Sequence, residues 1–393
     1  MAAKKRHVQI AGAGFVGLTL ATALARRGWS VTVHEQSESL RDFGAGILIW
    51  RNALVALEQI GVSERIRDGG LWPETYDTDL NGKRVSSELR GYPYRAVARP
   101  ALYSYLVDAA REAGVELLTG SRVVGAQSAG RLLRENGETL EADLVVGADG
   151  VGSAVRNSIT DFVQERRSYR DGVVRVLVDR PEEFKGLEWN RVIDFWTLEP
   201  DAMRILFIPV GPDKIYMGMM SETSNERASQ LPIDVETWSE RFPHLAPVIK
   251  LAEHVTGGRH DSYQTNRVST WSAGRVAIVG DAANAMCPAL GQGASVGMVN
   301  AIDMAAALDE FDDIEVALQA WESRQRTFTD LTQEISGRMA ETRGMAGGNG
   351  FSEEVLWIAG YVAPGTPDEL VARYPVPVGM TGAISADQSA GRG

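Results

Sequence analysis

Apolar and polar residues follow two different periods at the start of the chain. Arg6–Ala11 is a short apolar run that predicts a buried strand, and it ends in a glycine-rich turn. From Phe15 to Gly28 the apolar residues recur at helical spacing, and Val31–Val33 then predicts a second strand that ends at Glu35. These elements have the order and length of a strand–helix–strand unit.

The rest of the chain continues with both helical and strand patterns. Residues 99–114 are predicted to be helical, and Glu141–Gly147 and Arg275–Val279 are predicted to be buried strands. Residues 165–222 are rich in β-branched and aromatic side chains separated by turn residues, which predicts a mostly antiparallel sheet. Long helices are predicted over 291–308 and 315–340, and a disordered tail over 376–393.

The composition narrows the choice of partners. The 393 residues include 40 Lys and Arg against 52 Asp and Glu, a formal net charge of −12. This balance argues against nucleic acid or an anionic membrane surface as the main partner. The apolar stretches of the sequence are interrupted, and no membrane span is predicted. The single Cys287 excludes an internal disulfide and favours the cytoplasm. The histidines show no metal-ligand spacing, so no metal site is expected.

A glycine motif lies between the first predicted strand and helix. Gly12, Gly14 and Gly17 have the spacing GxGxxG, and Glu35 ends the next strand. In a dinucleotide-binding turn the first glycine allows the tight turn, the second lets a pyrophosphate approach the backbone, and the third lets helix and strand pack closely. The helix N-terminus favours phosphates, and the acidic residue can accept hydrogen bonds from a ribose. The sequence therefore predicts a dinucleotide site here.

Two later predicted strands each run into an acidic glycine turn. Asp149 follows the strand that ends at Gly147, and Asp281 follows the strand that ends at Val279. Taken alone, either aspartate could cap a helix N-terminus. Together with the first glycine motif, in this order and at this separation, they resemble the flavoprotein aromatic hydroxylases of the para-hydroxybenzoate hydroxylase type. The resemblance covers most of the chain.

This resemblance implies FAD as a non-covalent cofactor, with Asp281 at the ribityl chain and Asp149 near the pyrophosphate. Cys287 is expected to be a buried packing residue rather than a flavin attachment site. Only one glycine motif is present, so NADH or NADPH is expected to bind transiently, without a second Rossmann domain. Arg99 is implied as a pyrophosphate partner, although a surface arginine at a helix start is the alternative. The further cofactor-binding residues that the resemblance implies are Arg41, Gly46, Pro288, Gly293 and Ala294.

The implied fold is α/β. A Rossmann-like FAD-binding domain is expected to be interleaved with a mostly antiparallel β-sheet substrate domain and followed by C-terminal helices. The predicted division assigns residues 1–75, 96–165 and 266–340 to the FAD-binding domain, 76–95 and 166–265 to the substrate domain, 341–375 to a C-terminal segment and 376–393 to the tail.

Within the family, several stretches resemble the branch that oxygenates 2-methyl-3-hydroxypyridine-5-carboxylate and 5-hydroxynicotinate. On this resemblance Tyr76, Arg204 and Tyr216 are the catalytic candidates that position the substrate, since phenols and a guanidinium can bind a ring hydroxyl, a ring nitrogen or a carboxylate. The alternatives are strand pairing for the tyrosines and a structural ion pair for Arg204. Two positions depart from the resemblance. Leu48 stands where that branch has a tyrosine, which removes a polar contact near the ring, so the substrate can differ. Asn284 replaces the histidine of the usual Gly-Asp-Ala-Ala-His run.

The function implied is NAD(P)H-consuming hydroxylation of a hydroxylated aromatic or pyridine-carboxylate ring, with O₂ as co-substrate and a flavin 4a-hydroperoxide as the oxygen donor, with or without ring opening. Two alternatives stay open. Another FAD-dependent oxidase or dehydrogenase would reduce its flavin with the substrate itself. A non-catalytic FAD-binding sensor would show no substrate-stimulated NAD(P)H oxidation. A homo-oligomer is compatible with all three.

Overall fold

The computed structural model describes residues 5–40, 45–255, 259–342, 352–377 and 380 of the chain. In this part of the chain the helices are α1 (Phe15–Arg26), α2 (Arg51–Glu58), α3 (Ser63–Gly69), α4 (Arg99–Glu112), α5 (Ala154–Asn157), α6 (Glu226–Ser229), α7 (Val235–Arg241), α8 (Ala246–Leu251), α9 (Asp281–Asn284), α10 (Gly293–Glu310), α11 (Ile314–Thr342), α12 (Glu353–Gly360) and α13 (Asp368–Ala372). The strands are β1 (His7–Ala11), β2 (Ser30–His34), β3 (Gly46–Ile49), β4 (Tyr76–Leu80), β5 (Lys83–Glu88), β6 (Arg95–Ala98), β7 (Glu116–Leu118), β8 (Val123–Gln127), β9 (Arg131–Arg134), β10 (Thr139–Glu141), β11 (Leu144–Gly147), β12 (Gln164–Asp179), β13 (Val192–Thr197), β14 (Met203–Pro209), β15 (Lys214–Glu222), β16 (Arg259–Val268), β17 (Ser272–Ala273) and β18 (Val276–Ile278).

A six-stranded sheet of order β17-β18-β11-β1-β2-β7 contains the predicted strand–helix–strand unit. Strand β1 pairs in parallel with β2 and with β11, and β11 pairs in parallel with β18. Val8 and Ile10 of β1 are fully buried, as expected for a parallel strand that is covered on both faces. Helix α1 ends before Gly28, whose φ of +90° is easily adopted by glycine. The predicted unit and its parallel sheet are confirmed.

A seven-stranded sheet of order β16-β12-β15-β14-β13-β4-β5 forms the second layer of strands. Its neighbours are antiparallel except for β13 and β4, which run parallel. The predicted mostly antiparallel sheet is therefore confirmed. Its β4–β5 edge was not predicted from the pattern of residues 165–222, because these strands come from a much earlier part of the chain.

The two faces of this sheet differ in chemistry, because successive side chains of a strand point to opposite faces. One face carries Phe195, Phe207 and Met217, which pack in an apolar core with side chains of α7 and α8. The opposite face carries Asp194 and Arg204, which line a pocket. The alternation of side chains along each strand therefore places polar residues on the face opposite this apolar core.

The C-terminal segment is held by a buried arginine. Arg51 at the start of α2 donates from Nε to the Tyr374 carbonyl oxygen at 2.6 Å and from Nη1 to the Gly360 carbonyl oxygen at 2.7 Å.

Helices α10 and α11 pack against each other, and α10 packs against α1, so the predicted C-terminal helices are confirmed. Of the predicted tail, residues other than 376, 377 and 380 lie outside the described residues. The exact domain boundaries stay a prediction.

Candidate active site

The three glycines of the turn after β1 differ in the space around them. Gly12 has a φ of +102°, and a Cβ on it would lie 2.4 Å from the Ala148 carbonyl oxygen. A Cβ on Gly17 would lie 2.1 Å from the Gly12 carbonyl oxygen. Gly14 differs, since no atom lies within 4 Å of its hypothetical Cβ. Two of the glycines are therefore required by packing, whereas Gly14 faces open space in which a phosphate could approach the backbone.

Glu35 is fixed beside this turn. Its Oε2 accepts a hydrogen bond from the Ala13 backbone N–H at 3.1 Å, and its Oε1 accepts one from the Ser37 N–H at 2.9 Å. The carboxylate therefore lies next to the N-terminal end of α1, where the sequence predicts a ribose contact.

A cleft opens between the N-terminal end of α1 and the seven-stranded sheet. It encloses about 1280 Å³ of space, part of which is open to solvent. Of the residues predicted to bind the cofactor, Gly12, Gly17, Glu35 and Asp149 are not among its lining residues, and Arg41 lies outside the described residues. The predicted residues that do line it are Gly14, Gly46, Arg99, Asp281, Pro288, Gly293 and Ala294, together with Tyr216.

Three charged side chains, those of Arg99, Arg175 and Asp281, line this cleft. Arg99 begins α4, and its Cζ lies 4.7 Å from the ring centre of Phe15. Burial raises the pKa of Asp281 above its ordinary value, and the positive charges of Arg99 and Arg175 oppose that rise. The Asp281 side chain itself is open to the cleft. Arg175 on β12, which forms an ion pair with Asp261, lines the cleft and was missed from the sequence.

Asp149 caps a helix in this structure. Its Oδ2 accepts hydrogen bonds from the backbone N–H groups of Ala154 at 2.7 Å and Val155 at 3.1 Å, at the start of α5. This is the alternative that the sequence left open for it. Its neighbours Ala148 and Gly150 line the cleft, so the backbone of the turn reaches the site even though the carboxylate serves α5.

The fit of a dinucleotide cofactor to this cleft can be judged from the backbone. The N-terminal end of α1 has no acidic residue in its first turn and no side-chain cap, so its N–H groups and positive dipole end are open to an anion. Small residues, Gly291, Gly293 and Ala294, line the other end of the cleft at the start of α10. Both features suit FAD, with phosphates at α1 and a flat ring at the small residues.

A second pocket of about 940 Å³ adjoins the cleft. The two share Leu48, Leu206, Pro288 and Gly291 in their linings. Tyr76 and Arg204 line this second pocket, and Arg204 Nη2 lies 3.5 Å from the Tyr76 hydroxyl oxygen. The structure therefore brings two of the predicted catalytic residues together.

Asp194 is the residue of this pocket that sequence reasoning missed. Its Oδ1 accepts a hydrogen bond from Arg204 Nε at 2.5 Å, and the Tyr76 hydroxyl lies 3.4 Å from its Oδ2. The side chains of both members of the ion pair are about nine-tenths buried. The structural ion pair that the sequence left open for Arg204 is thus present, and it lies inside the pocket rather than away from it.

Burial and the charge of Asp194 together determine the protonation states of Arg204 and Tyr76. Burial alone would lower the pKa of Arg204, but the charge of Asp194 raises it above the ordinary value, so the guanidinium stays charged. Burial, and then the charge of Asp194, raise the pKa of Tyr76, so its phenol stays protonated at neutral pH and can donate a hydrogen bond. The pocket thus contains a permanent cation and a phenol donor.

Tyr216 lies apart from this pair. It lines the cleft rather than the second pocket, and a Cβ on Gly46 would lie 2.6 Å from the Tyr216 Cβ. Of the two departures from the resembled branch, Leu48 lies in the wall that both cavities share. Asn284 ends α9, and its buried Nδ2 has no hydrogen-bond partner among the described residues.

Two further polar groups belong to the second pocket. Trp196 and Tyr263 line it, and both residues are more than nine-tenths buried. The Trp196 Nε1 and the Tyr263 hydroxyl have no hydrogen-bond partner among the described residues. A buried donor without a partner is unfavourable, so a ligand in this pocket would gain by accepting a hydrogen bond from either group.

Cys287 is predicted to be inert toward thiol reagents in the folded protein. The residue is fully buried, and burial raises the pKa of its thiol to about 12, so almost no reactive thiolate is present at pH 8. A maleimide at pH 8 is expected to label the denatured chain at once and the native chain very slowly. Equal labelling rates in the two states would contradict this assignment.

The described residues contain no group of three or more His, Cys, Asp or Glu side chains that could hold a metal ion. Among the same residues, no helix combines the length and the apolar character that crossing a membrane would require.

The parallel sheet, the glycine turn and the cleft define the class of this protein: a flavoprotein that binds a dinucleotide in a Rossmann-like domain. Residues 5–313 match the family model described as FAD binding domain. The chain belongs to this family.

Relatives and solved structures agree with that assignment. A 2-heptyl-3-hydroxy-4(1H)-quinolone synthase of Mycobacteroides abscessus is 35% identical over 339 residues, which are 85% of this chain and 89% of the relative. A 3-hydroxybenzoate 6-hydroxylase of Aquipseudomonas alcaligenes is 28% identical over 352 residues, 84% of this chain and 87% of the relative. A solved structure of 2-methyl-3-hydroxypyridine-5-carboxylic acid oxygenase, described as tetrameric, matches with a TM-score of 0.89 and 42% identity, covering 95% of this chain and 99% of the other. The chain is an FAD-dependent monooxygenase of the aromatic hydroxylase type.

Proposed function

We propose that this enzyme hydroxylates a hydroxylated aromatic or pyridine-carboxylate ring, with NADH or NADPH as transient electron donor and O₂ as co-substrate. The observation that carries the proposal is the buried Tyr76–Arg204–Asp194 group in a pocket that shares a wall with the cofactor cleft. A ring held in that pocket would lie next to the end of the cleft where small residues leave room for a flavin ring.

The residues divide the work in this proposal. FAD would be held by Gly14, Arg99, Asp281 and the small residues Gly291, Gly293 and Ala294. When bound, FAD supplies the redox and oxygen-transfer chemistry. Arg204 and Tyr76 would donate hydrogen bonds to oxygen atoms of the ring substituents and so fix its orientation. The apolar wall at Leu48 and Leu206 would exclude water from the ring.

The names of the relatives support a nitrogen-containing ring as the substrate. The quinolone synthase and the hydroxypyridine carboxylic acid oxygenase are named for nitrogen heteroaromatic compounds with a hydroxyl group, whereas the 3-hydroxybenzoate hydroxylase is named for a benzene ring. The substrate class proposed for this chain therefore includes hydroxypyridine carboxylates first and hydroxybenzoates second.

The test is NADH and NADPH oxidation by the FAD-loaded protein in air, with 5-hydroxynicotinate, other hydroxypyridine carboxylates and hydroxybenzoates added singly. At least one ring compound is expected to accelerate the oxidation several-fold and to appear as an oxygenated product in the mass spectrum. The control is the same assay without a ring compound, which measures wasteful oxidation by O₂ alone.

Two outcomes would overturn the proposal. If one compound reduces the bound FAD under anaerobic conditions without NAD(P)H, the protein is an oxidase or dehydrogenase. If no compound changes the rate of FAD reduction, a non-catalytic FAD-binding role replaces the hydroxylase.

We also propose a cytoplasmic homo-oligomer. The single Cys287 supports a reducing compartment, and the tetrameric form named for the matching oxygenase supports self-association. Light scattering during size-exclusion chromatography would contradict the second part if it gave the mass of one chain.

A further inference from the structure

The substrate pocket is not a positively charged site, although it contains Arg204. Among the described residues that line it, Arg204 is the only cationic side chain, whereas Glu88, Asp171 and Asp194 are acidic. The guanidinium is already neutralised by Asp194 at 2.5 Å. Because Asp194 already neutralises the guanidinium, an anionic ligand gains less from Arg204 than it would gain from an arginine without an acidic partner.

Asp194 has acceptor capacity that the described residues leave unused. A carboxylate has two oxygens that together accept about four hydrogen bonds. Among the described residues, Asp194 Oδ1 receives the short bond from Arg204, and its Oδ2 receives the long contact of 3.4 Å from the Tyr76 hydroxyl. Oδ2 can therefore accept a further, shorter bond from a donor in the pocket.

The register of β13 with its two neighbouring strands places Asp194 in the pocket. Asp194 pairs across the strands with Leu206 of β14 and with Thr78 of β4, and both of these residues line the pocket. Asp194 therefore lies in the middle of the pocket floor, between the wall shared with the cofactor cleft and the β4 edge. A ring that contacts Leu206 is within reach of the Asp194 carboxylate.

We propose that Asp194 is a specificity residue that cancels the charge of Arg204 and accepts a hydrogen bond from a ring N–H. In a hydroxypyridine this N–H belongs to the zwitterionic tautomer, in which the proton of the ring hydroxyl has moved to the ring nitrogen, and the charge of Asp194 favours that tautomer. The pocket should therefore prefer nitrogen heteroaromatic rings over benzene rings of the same shape. This inference rests on the proposed function, because it assumes that the pocket is where the ring binds. A ring N–H satisfies the buried carboxylate, whereas a C–H in the same place leaves its oxygen without a partner.

Two compounds that differ in one ring atom test the proposal. 5-Hydroxynicotinate and 3-hydroxybenzoate carry the same carboxylate and hydroxyl groups in the same relation, and the first has a nitrogen where the second has a C–H. The dissociation constant of each is measured from its effect on the absorbance of bound FAD, without NAD(P)H, in wild-type protein and in Asp194→Asn. The matched control is Asp179→Asn, an exposed carboxylate on β12 of the same sheet.

Wild-type protein and Asp179→Asn are expected to bind the pyridine compound at least about tenfold more tightly than the benzene compound, since a charge-assisted hydrogen bond commonly gives a tenfold difference. In Asp194→Asn the preference should fall to about threefold or less, with the benzoate binding more tightly than it does to wild-type protein because Arg204 is no longer neutralised. A wild-type preference below threefold, or an equal loss of affinity for both compounds in Asp194→Asn, would overturn the proposal.

A second variant covers the case in which Asp194→Asn does not fold. Asp194→Asn/Arg204→Met removes both charges together, which buried ion pairs tolerate better than the loss of one partner. It should bind the two compounds with equal affinity, and a retained tenfold preference would refute the role of Asp194. The outcomes also separate this inference from the proposed function: selective binding without any oxygenated product refutes the hydroxylase alone, whereas turnover with unchanged selectivity in Asp194→Asn refutes Asp194 alone.

Discussion

Arg204→Ala is expected to lower the free energy of unfolding by about 3–5 kcal/mol and to abolish stimulation of NAD(P)H oxidation by ring compounds. The stability loss arises because Asp194, itself buried, loses the guanidinium that donates to it at 2.5 Å. The activity loss arises because the pocket loses the donor that would orient the ring and keeps a buried Asp194 carboxylate without its arginine partner. Urea unfolding of the FAD-free protein and the oxidation assay measure the two effects separately.

The control for this prediction is an exposed ion pair of the same chemistry. Arg227 pairs with Asp234 at 2.6 Å, but its side chain is 59% exposed. Arg227→Ala should therefore change stability by about 1 kcal/mol or less, because solvent screens exposed pairs. Equal stability losses for Arg204→Ala and Arg227→Ala would contradict the account.

Gly17→Ala and Gly14→Ala are expected to fail in different ways. A Cβ on residue 17 would lie 2.1 Å from the Gly12 carbonyl oxygen, a backbone atom that cannot move without opening the turn. Gly17→Ala should therefore lower the free energy of unfolding by about 2–4 kcal/mol even without FAD, in the range of severe overpacking. Gly14→Ala meets no atom within 4 Å, so the FAD-free protein should keep its stability.

Gly14→Ala should instead lose affinity for FAD. A methyl group on residue 14 would occupy the space in which the pyrophosphate approaches the backbone, and FAD affinity should fall about 100-fold or more, which corresponds to about 3 kcal/mol. Isothermal titration of FAD into the FAD-free variant measures this directly. Unchanged FAD affinity in Gly14→Ala would show that the cofactor lies elsewhere.

The glycine turn shows what could be predicted from the sequence. Its three glycines, the following helix and Glu35 form one continuous segment, and the local rules that relate spacing to backbone geometry apply to it directly. The hydrogen bond from the Ala13 N–H to Glu35 joins residues of the same strand–helix–strand unit. Local patterning therefore predicted this part of the fold and the kind of cofactor together.

The pocket that contains Tyr76, Arg204 and Asp194 could be predicted only in part. Tyr76 and Arg204 are far apart in the chain, and they meet because β4 joins the sheet at β13. Asp194 gave no signal of its own, because an aspartate within an apolar strand is noticed only when the β13–β14 pairing places it beside Arg204. Arg175 was missed for the same reason: its strand pattern indicates a sheet but not which face meets the cleft.

The most direct test of the central claim is turnover in an atmosphere of ¹⁸O₂ with NAD(P)H and the most effective ring compound. We expect a product, with the ring intact or opened, that carries one labelled oxygen atom on a carbon of the original ring and that forms in proportion to the NAD(P)H consumed. Hydrogen peroxide as the sole reduced oxygen product, with the ring compound recovered unchanged or merely dehydrogenated, would contradict the assignment of this enzyme as a ring hydroxylase.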